Sequence, residues 1–209
     1  MTTKEKISQA ALDMFSVRGY EAVSIRDIAG AVGIKESSIY NHYKNKQAIF
    51  DALVEQNELR GRDIFGPFHL TDTPGPEVME MDFMRSPERL SQLTADVFLQ
   101  YITEEGLRKF RQMLVIEQFR SPEAKRVYLD VFVEQPIAFQ AALFRKMMED
   151  GIFYPGDPAA AAAQFYAPIF LLFSRYDGGE VNEVEAREYI RAHVVQFGRV
   201  YERGRTQGE

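Results

Sequence analysis

The side chains best suited to chemistry in this 209-residue chain cluster between Ile25 and Lys44. Lys35, Glu36, Ser37, Ser38, Tyr40, Asn41 and His42 are hydrogen-bonding and mostly uncharged. Such a set suits the reading of base edges and phosphates. Just before it, Ala29 is followed four positions later by Gly33, with Ile28, Val32, Ile34 and Ile39 at inward positions. Two short helices that cross closely need a small residue at the contact, a glycine in the turn and apolar residues at fixed spacing. The pattern predicts a helix-turn-helix whose second helix, about Lys35 to Tyr43, faces DNA.

Individual roles follow from position. Tyr40 can stack on deoxyribose or a thymine methyl while its hydroxyl reaches a phosphate. Lys35 and Ser37 open the recognition helix, with Ser38, Asn41 and Lys44 on the same segment. Lys46 opens the next helix and is expected to pair with a phosphate, helped by the helix N-terminus. Ser24 and Arg26 begin the preceding helix as phosphate contacts, with helix capping as the other role for Ser24. His42 is a DNA-backbone contact rather than a metal ligand, since no partner His or Cys lies near it. Tyr43 either packs inward or touches DNA. Glu36 either accepts from a cytosine amine or points away.

Other chemistries lack their residues. The chain has no cysteine and three histidines, His42, His69 and His193. It has no His-Glu-x-x-His, no phosphate-binding Gly-rich loop and no Gly-x-Ser-x-Gly. An enzyme is therefore not expected, nor a cofactor or a metal. The Met-Thr-Thr-Lys-Glu-Lys start has no apolar run behind it, and the apolar stretch 159–173 is too short for a membrane span. These features predict a cytoplasmic protein without a membrane partner. The net charge is −6, but residues 1–50 carry seven Lys/Arg against five Asp/Glu, while the rest is acidic. A weakly basic head on an acidic body fits nucleic-acid contact at one end.

The elements that must hold these residues are helical throughout. Ile7, Ala10, Ala11, Met14 and Phe15 make one apolar face, and Gly19 stops that helix. A fourth helix starts near Lys46. Between Gly61 and Pro87, Gly-Pro and Pro-Gly pairs predict loop. Helices are expected again near 88–102, 104–120, 122–150 (with Pro136 bending or breaking it), 157–176 and 182–203. The fold class is all-α with about nine helices: a helix-turn-helix domain over 1–46 and a helical effector-binding and dimerisation domain over 47–209.

In the second domain, Phe98, Tyr101, Phe110, Met113, Tyr128, Phe132, Phe165 and Tyr166 are candidate lining for a small-molecule site, with core packing as the alternative. Glu117 interrupts an apolar run; if buried it needs a partner, and a ligand donor, a salt bridge and a surface position are all open. The helix near 157–176 is apolar around most of its circumference, and the last helix carries an apolar stripe. Phe170, Phe173, Ile190, His193, Val194, Phe197, Val200 and Tyr201 are the expected dimer face.

The segment from Gly19-Tyr20 through Ile28-Ala29-x3-Gly33 to Tyr40-x-His42-Tyr43-Lys44-x-Lys46 and Phe50 resembles the DNA-binding domain of the TetR family of bacterial regulators. The likeness is close over residues 4–54 and only architectural past residue 60. It implies an all-helical homodimer on double-stranded, pseudo-palindromic operator DNA. The last two helices would form a four-helix bundle with their mates, and the central helices would enclose a pocket for an unknown effector. Effector binding would shift helix four and separate the recognition helices. The implied function is a ligand-released repressor; the alternatives are an activator or a helical small-molecule-binding protein.

Overall fold

The structure is a computed structural model that describes residues 1–65, 86–176 and 178–203. The described residues form α1 (Thr3–Arg18), α2 (Ile25–Val32), α3 (Glu36–Ile39), α4 (Lys46–Phe65), α5 (Pro87–Thr103), α6 (Glu105–Glu117), α7 (Pro122–Leu129), a π-helical turn (Asp130–Glu134), α8 (Gln135–Glu149), α9 (Pro158–Tyr176) and α10 (Glu183–Tyr201). Counting Pro122–Glu149 as one helix gives nine among the described residues. Among the described residues there is no strand, only an isolated bridge between Phe153 and Glu202. Most of the Pro- and Gly-punctuated stretch expected to be loop lies outside the described residues.

The chain divides into two compact units. The first joins Met1–Ile64 to Glu104–Asp130, and the second joins Phe65–Thr103 to Val131–Glu209. The first unit therefore runs well past residue 46, where the sequence pattern suggested a boundary. The reason is that α4 buries Ile49, Phe50 and Leu53, and that α1 packs on α6 as well as on α2.

In the first unit, α1 opens with a capping box. Thr2 Oγ1 accepts from Glu5 N at 3.2 Å, and Glu5 Oε2 accepts from Thr2 N at 2.9 Å. Its buried face is Ile7, Ser8, Ala11, Leu12 and Phe15, one position round from the expected stripe. Gly19 ends it with φ at 82°, in the region that favours glycine.

In the second unit, α8 packs on α9, and α5 packs on α10. Asp157 caps α9, accepting at Oδ1 from the Ala159 and Ala160 amides, and Asn182 caps α10 by accepting from Glu185 N at 3.2 Å. By length and apolar composition, Pro122–Glu149 is the one described helix that could cross a membrane. It carries buried core residues such as Val127, Phe139 and Phe144, as the core helix of a folded protein does.

Pro136 neither breaks nor merely bends its helix. It lacks the N–H that would reach the Phe132 carbonyl one turn back, and the backbone widens into the π turn at Asp130–Glu134. The Tyr166 hydroxyl, from α9, donates to that Phe132 carbonyl at 2.8 Å.

Candidate nucleic-acid interface and an apolar cavity

The two short helices of the first unit are built as the spacing requires. Ser24 caps α2: its Oγ accepts from Asp27 N at 3.1 Å and donates to Asp27 Oδ2 at 2.7 Å, while Ser24 N donates to the same oxygen. These bonds hold the Asp27 carboxyl below its usual range. Ile28 and Ala29 are buried. Gly33 takes the left-handed conformation, φ 75° and ψ 32°, and its N–H closes the helix on Ala29 and Gly30.

The recognition helix is shorter than expected. Regular α structure covers Glu36–Ile39; beyond it, Asn41 N donates to Ser38 O, and His42 N and Tyr43 N to Ile39 O. The fully buried Ile39 anchors this turn.

Lys35, Glu36, Ser37, Tyr40, Asn41, His42 and Lys44 are exposed, as are Ser24 and Arg26, and Ser38 is half-buried. Tyr40 is 53% exposed, unusual for so large a ring. Two candidates turn inward. Tyr43 is buried at 4%, and its hydroxyl lies 2.6 Å from Ser8 Oγ, which also accepts from Gln56 Nε2 at 3.2 Å. Of its two open roles, the structure gives Tyr43 the inward one.

Lys46 is held close to the protein. Its Nζ donates to the carbonyls of Tyr20 at 2.9 Å and Val23 at 3.1 Å and lies 4.1 Å from the centre of the Tyr20 ring. One ammonium hydrogen is left for a phosphate.

Tyr20 is the hub that this arrangement serves. Its ring meets Phe15 and Phe50 edge-on at 5.2 and 5.6 Å. Its hydroxyl donates to Gln47 Oε1 at 3.2 Å, and burial pushes its pKa up to about 12. Its amide donates to Glu117 Oε1 at 2.7 Å. Glu117 is fully buried, and Oε2 has no hydrogen-bond partner among the described residues. A Cβ at Gly19 would come within 2.5 Å of Glu117 Oε1, so the glycine makes room for this contact. Of the roles open to Glu117, a surface position does not hold: it is buried and ties Tyr20, just before the helix-turn-helix, to the end of α6.

The second unit encloses an apolar cavity of about 90 Å³. Phe98, Tyr101, Phe132, Phe165 and Tyr166, all named from sequence, line it. Phe173, assigned from sequence to the dimer face, lines it too. Its ring packs 5.0 Å from Phe98 and 6.1 Å from Phe132. The sequence did not single out Val97, Gln140 or Ile169 as lining. The available signal for Gln140 was a lone amide one turn after Pro136 on an apolar face.

Phe110, Met113, Glu117 and Tyr128 are corrected as candidates for this cavity. They belong to the first unit, where Phe110 and Met113 are core residues of α6. An aromatic stripe looks the same whether it faces a cavity or a packed helix.

The residues expected on a dimer face divide between buried and uncovered positions. Phe173, Ile190, Val194 and Phe197 are buried within the chain's own second unit. Phe197 packs against Phe144, Phe165 and Tyr201. His193 is half-buried, with Nε2 2.7 Å from the Phe165 carbonyl. Phe170 and Tyr201 are half-buried, and Val200 is 60% exposed. The exposed apolar side chains of these helices include Ala163, Ala167 and Leu171 on α9 and Ala192 and Val200 on α10.

Comparison with known proteins agrees with this architecture. Residues 7–53 match the family of bacterial regulatory proteins of the tetR type. Residues 88–203 match the C-terminal domain of AefR-like transcriptional repressors. The HTH-type transcriptional repressor KstR2 of Mycolicibacterium smegmatis is 27% identical over 138 residues, 63% of this chain and 63% of that protein. A TetR-family transcriptional regulator from Mesorhizobium loti superposes with a TM-score of 0.70 at 22% identity, covering 96% of this chain and 97% of that one. AibR in complex with isovaleryl coenzyme A and operator DNA superposes with a TM-score of 0.65 at 17% identity, covering 96% and 98%. With both units matched and the helix-turn-helix intact, the chain belongs to the TetR family of bacterial regulatory proteins.

Proposed function

We propose that this chain is a transcriptional repressor that binds a pseudo-palindromic operator as a homodimer and lets go when a small lipophilic or aromatic effector enters the second unit. The observation that carries the reading is the pairing of two features. One is an exposed set of hydrogen-bonding side chains, Lys35, Ser37, Tyr40, Asn41, His42 and Lys44, on a turn fixed by Gly33 and Ile39. The other is an apolar cavity walled by aromatic rings in the second unit. Of the relatives, KstR2 is named a repressor, and AibR was captured with operator DNA and an acyl-coenzyme A.

The helix-turn-helix side chains contact DNA in this reading, with Tyr40 reading bases or sugar and Lys35, Lys44 and Arg26 neutralising phosphates. Dimerisation uses the exposed faces of α9 and α10, where Leu171 and Val200 are 61% and 60% exposed. A two-fold dimer presents half-sites about one DNA turn apart.

The test is a selection of random duplex DNA on the purified protein, followed by titration of the selected site at several salt concentrations. Enrichment of an inverted repeat, with affinity falling steeply as salt rises, is expected. Failure to enrich any sequence at low salt would sink the reading.

A further inference from the structure

The cavity is selective in a way its shape alone does not require. None of its described lining residues carries a charge, so an anionic or cationic ligand would meet no counter-ion among them. Its polar side chains are Thr94, Tyr101, Gln140 and Tyr166, and two of the three hydroxyls have a named acceptor. Thr94 Oγ1 donates to the Leu90 carbonyl at 2.7 Å, and the Tyr166 hydroxyl donates to the Phe132 carbonyl at 2.8 Å. Gln140 differs. Its side-chain Oε1 is buried and has no hydrogen-bond partner among the described residues, and the residue lines the cavity. A buried acceptor left unpaired is costly, and a native protein seldom keeps one without a use.

We infer that Gln140 is the specificity-determining residue of this cavity and that its ligand is a compact, uncharged, mainly apolar molecule presenting one hydrogen-bond donor, a phenol or alcohol O–H or a ring N–H, to Gln140 Oε1. At about 90 Å³ the cavity suits a single ring or a short chain. Among the described lining residues there is no cation to meet the phosphates of a coenzyme thioester. The inference rests on the effector-cavity reading and adds the group that reads the ligand.

The experiment is a calorimetric titration of the full chain and of its Gln140→Leu variant with four para-substituted toluenes: p-cresol, p-xylene, 4-methylanisole and 4-methylbenzoate. Raw affinities also reflect how strongly water holds each probe, so the diagnostic quantity is the change between the two proteins. Replacing Gln140 should weaken p-cresol about tenfold or more while leaving p-xylene and 4-methylanisole equal or tighter. 4-Methylbenzoate should bind neither protein measurably. An equal change for p-cresol and p-xylene overturns the inference but leaves the cavity a binding site. So does a selective loss of 4-methylanisole, which can only accept, or tight binding of 4-methylbenzoate. If none of the four binds the wild-type chain, the effector-cavity reading falls as well. Thermal unfolding of Gln140→Leu, together with retained p-xylene binding, separates a lost hydrogen bond from a lost fold.

Discussion

The Tyr166 hydroxyl donates to the Phe132 carbonyl at 2.8 Å, one turn before a proline that has no N–H to offer that carbonyl. The bond is buried, and both residues line the cavity. One contact thus supports the π turn at Asp130–Glu134 and shapes the lining. Tyr166→Phe should lower the unfolding free energy by about 1–2 kcal/mol. In a Pro136→Ala background, where residue 136 regains its N–H, the same substitution should cost less. Chemical denaturation of the four proteins checks this; an equal cost in both backgrounds would refute the account of the π turn.

Glu117 and Tyr20 carry the corresponding link in the first unit. Glu117→Ala leaves the Tyr20 amide without its 2.7 Å acceptor and should destabilise by about 1–3 kcal/mol. Glu117→Gln keeps an oxygen there and should cost clearly less. Parallel melts decide it: if the glutamine variant were as unstable as the alanine variant, charge rather than the acceptor would be what matters.

Two glycines should respond in opposite directions. Gly19 sits at φ 82°, and a Cβ would meet Glu117 Oε1 at 2.5 Å, so Gly19→Ala should destabilise by more than about 1 kcal/mol. Gly30 lies within α2 with open space around it. Gly30→Ala should stabilise by about 0.4–1 kcal/mol. Melting temperatures moving in the same direction would contradict this.

The lysines of the head separate binding from structure. Lys35 and Lys44 are exposed, so alanine at either should weaken binding to all sequences and reduce the salt slope by about one, with stability unchanged. Lys46 gives two of its three ammonium hydrogens to the Tyr20 and Val23 carbonyls, so Lys46→Ala should lower the melting temperature of the head and change the salt slope less. Tyr40→Ala should abolish preference for the operator while sparing weak binding to any DNA. Fluorescence anisotropy over a salt series measures all four. An unchanged melting temperature for Lys46→Ala would contradict this structural role for Lys46.

Leu171 tests the proposed dimer face. Leu171→Glu, at a position 61% exposed in the single chain, should leave the protomer folded and shift it to monomer. Phe197→Ala removes a buried ring instead and should cost about 3–5 kcal/mol of protomer stability. Light scattering with circular dichroism distinguishes the two effects; a Leu171→Glu protein that stays dimeric would exclude this face.

Much of the local structure was legible in the sequence. Capping at Ser24, the turn glycine Gly33 and the apolar spacing of Ile28, Ala29 and Ile39 are short-range signals, written within a turn or two of where they act. They suffice for an all-helical chain and for the family's DNA-binding motif. Only tertiary structure decided which face of each helix meets what. Phe110 and Phe132 look alike in sequence, yet one packs in the first unit's core and the other walls the cavity. Phe197 and Leu171 are both apolar, yet one is buried in its own unit and the other left uncovered. Lys46 and Glu117 look free to meet a phosphate or a ligand until Tyr20 takes them both. Periodicity fixes that a residue is apolar or polar on a given stripe; the partner is set by residues many positions away, whose approach depends on how the whole chain packs.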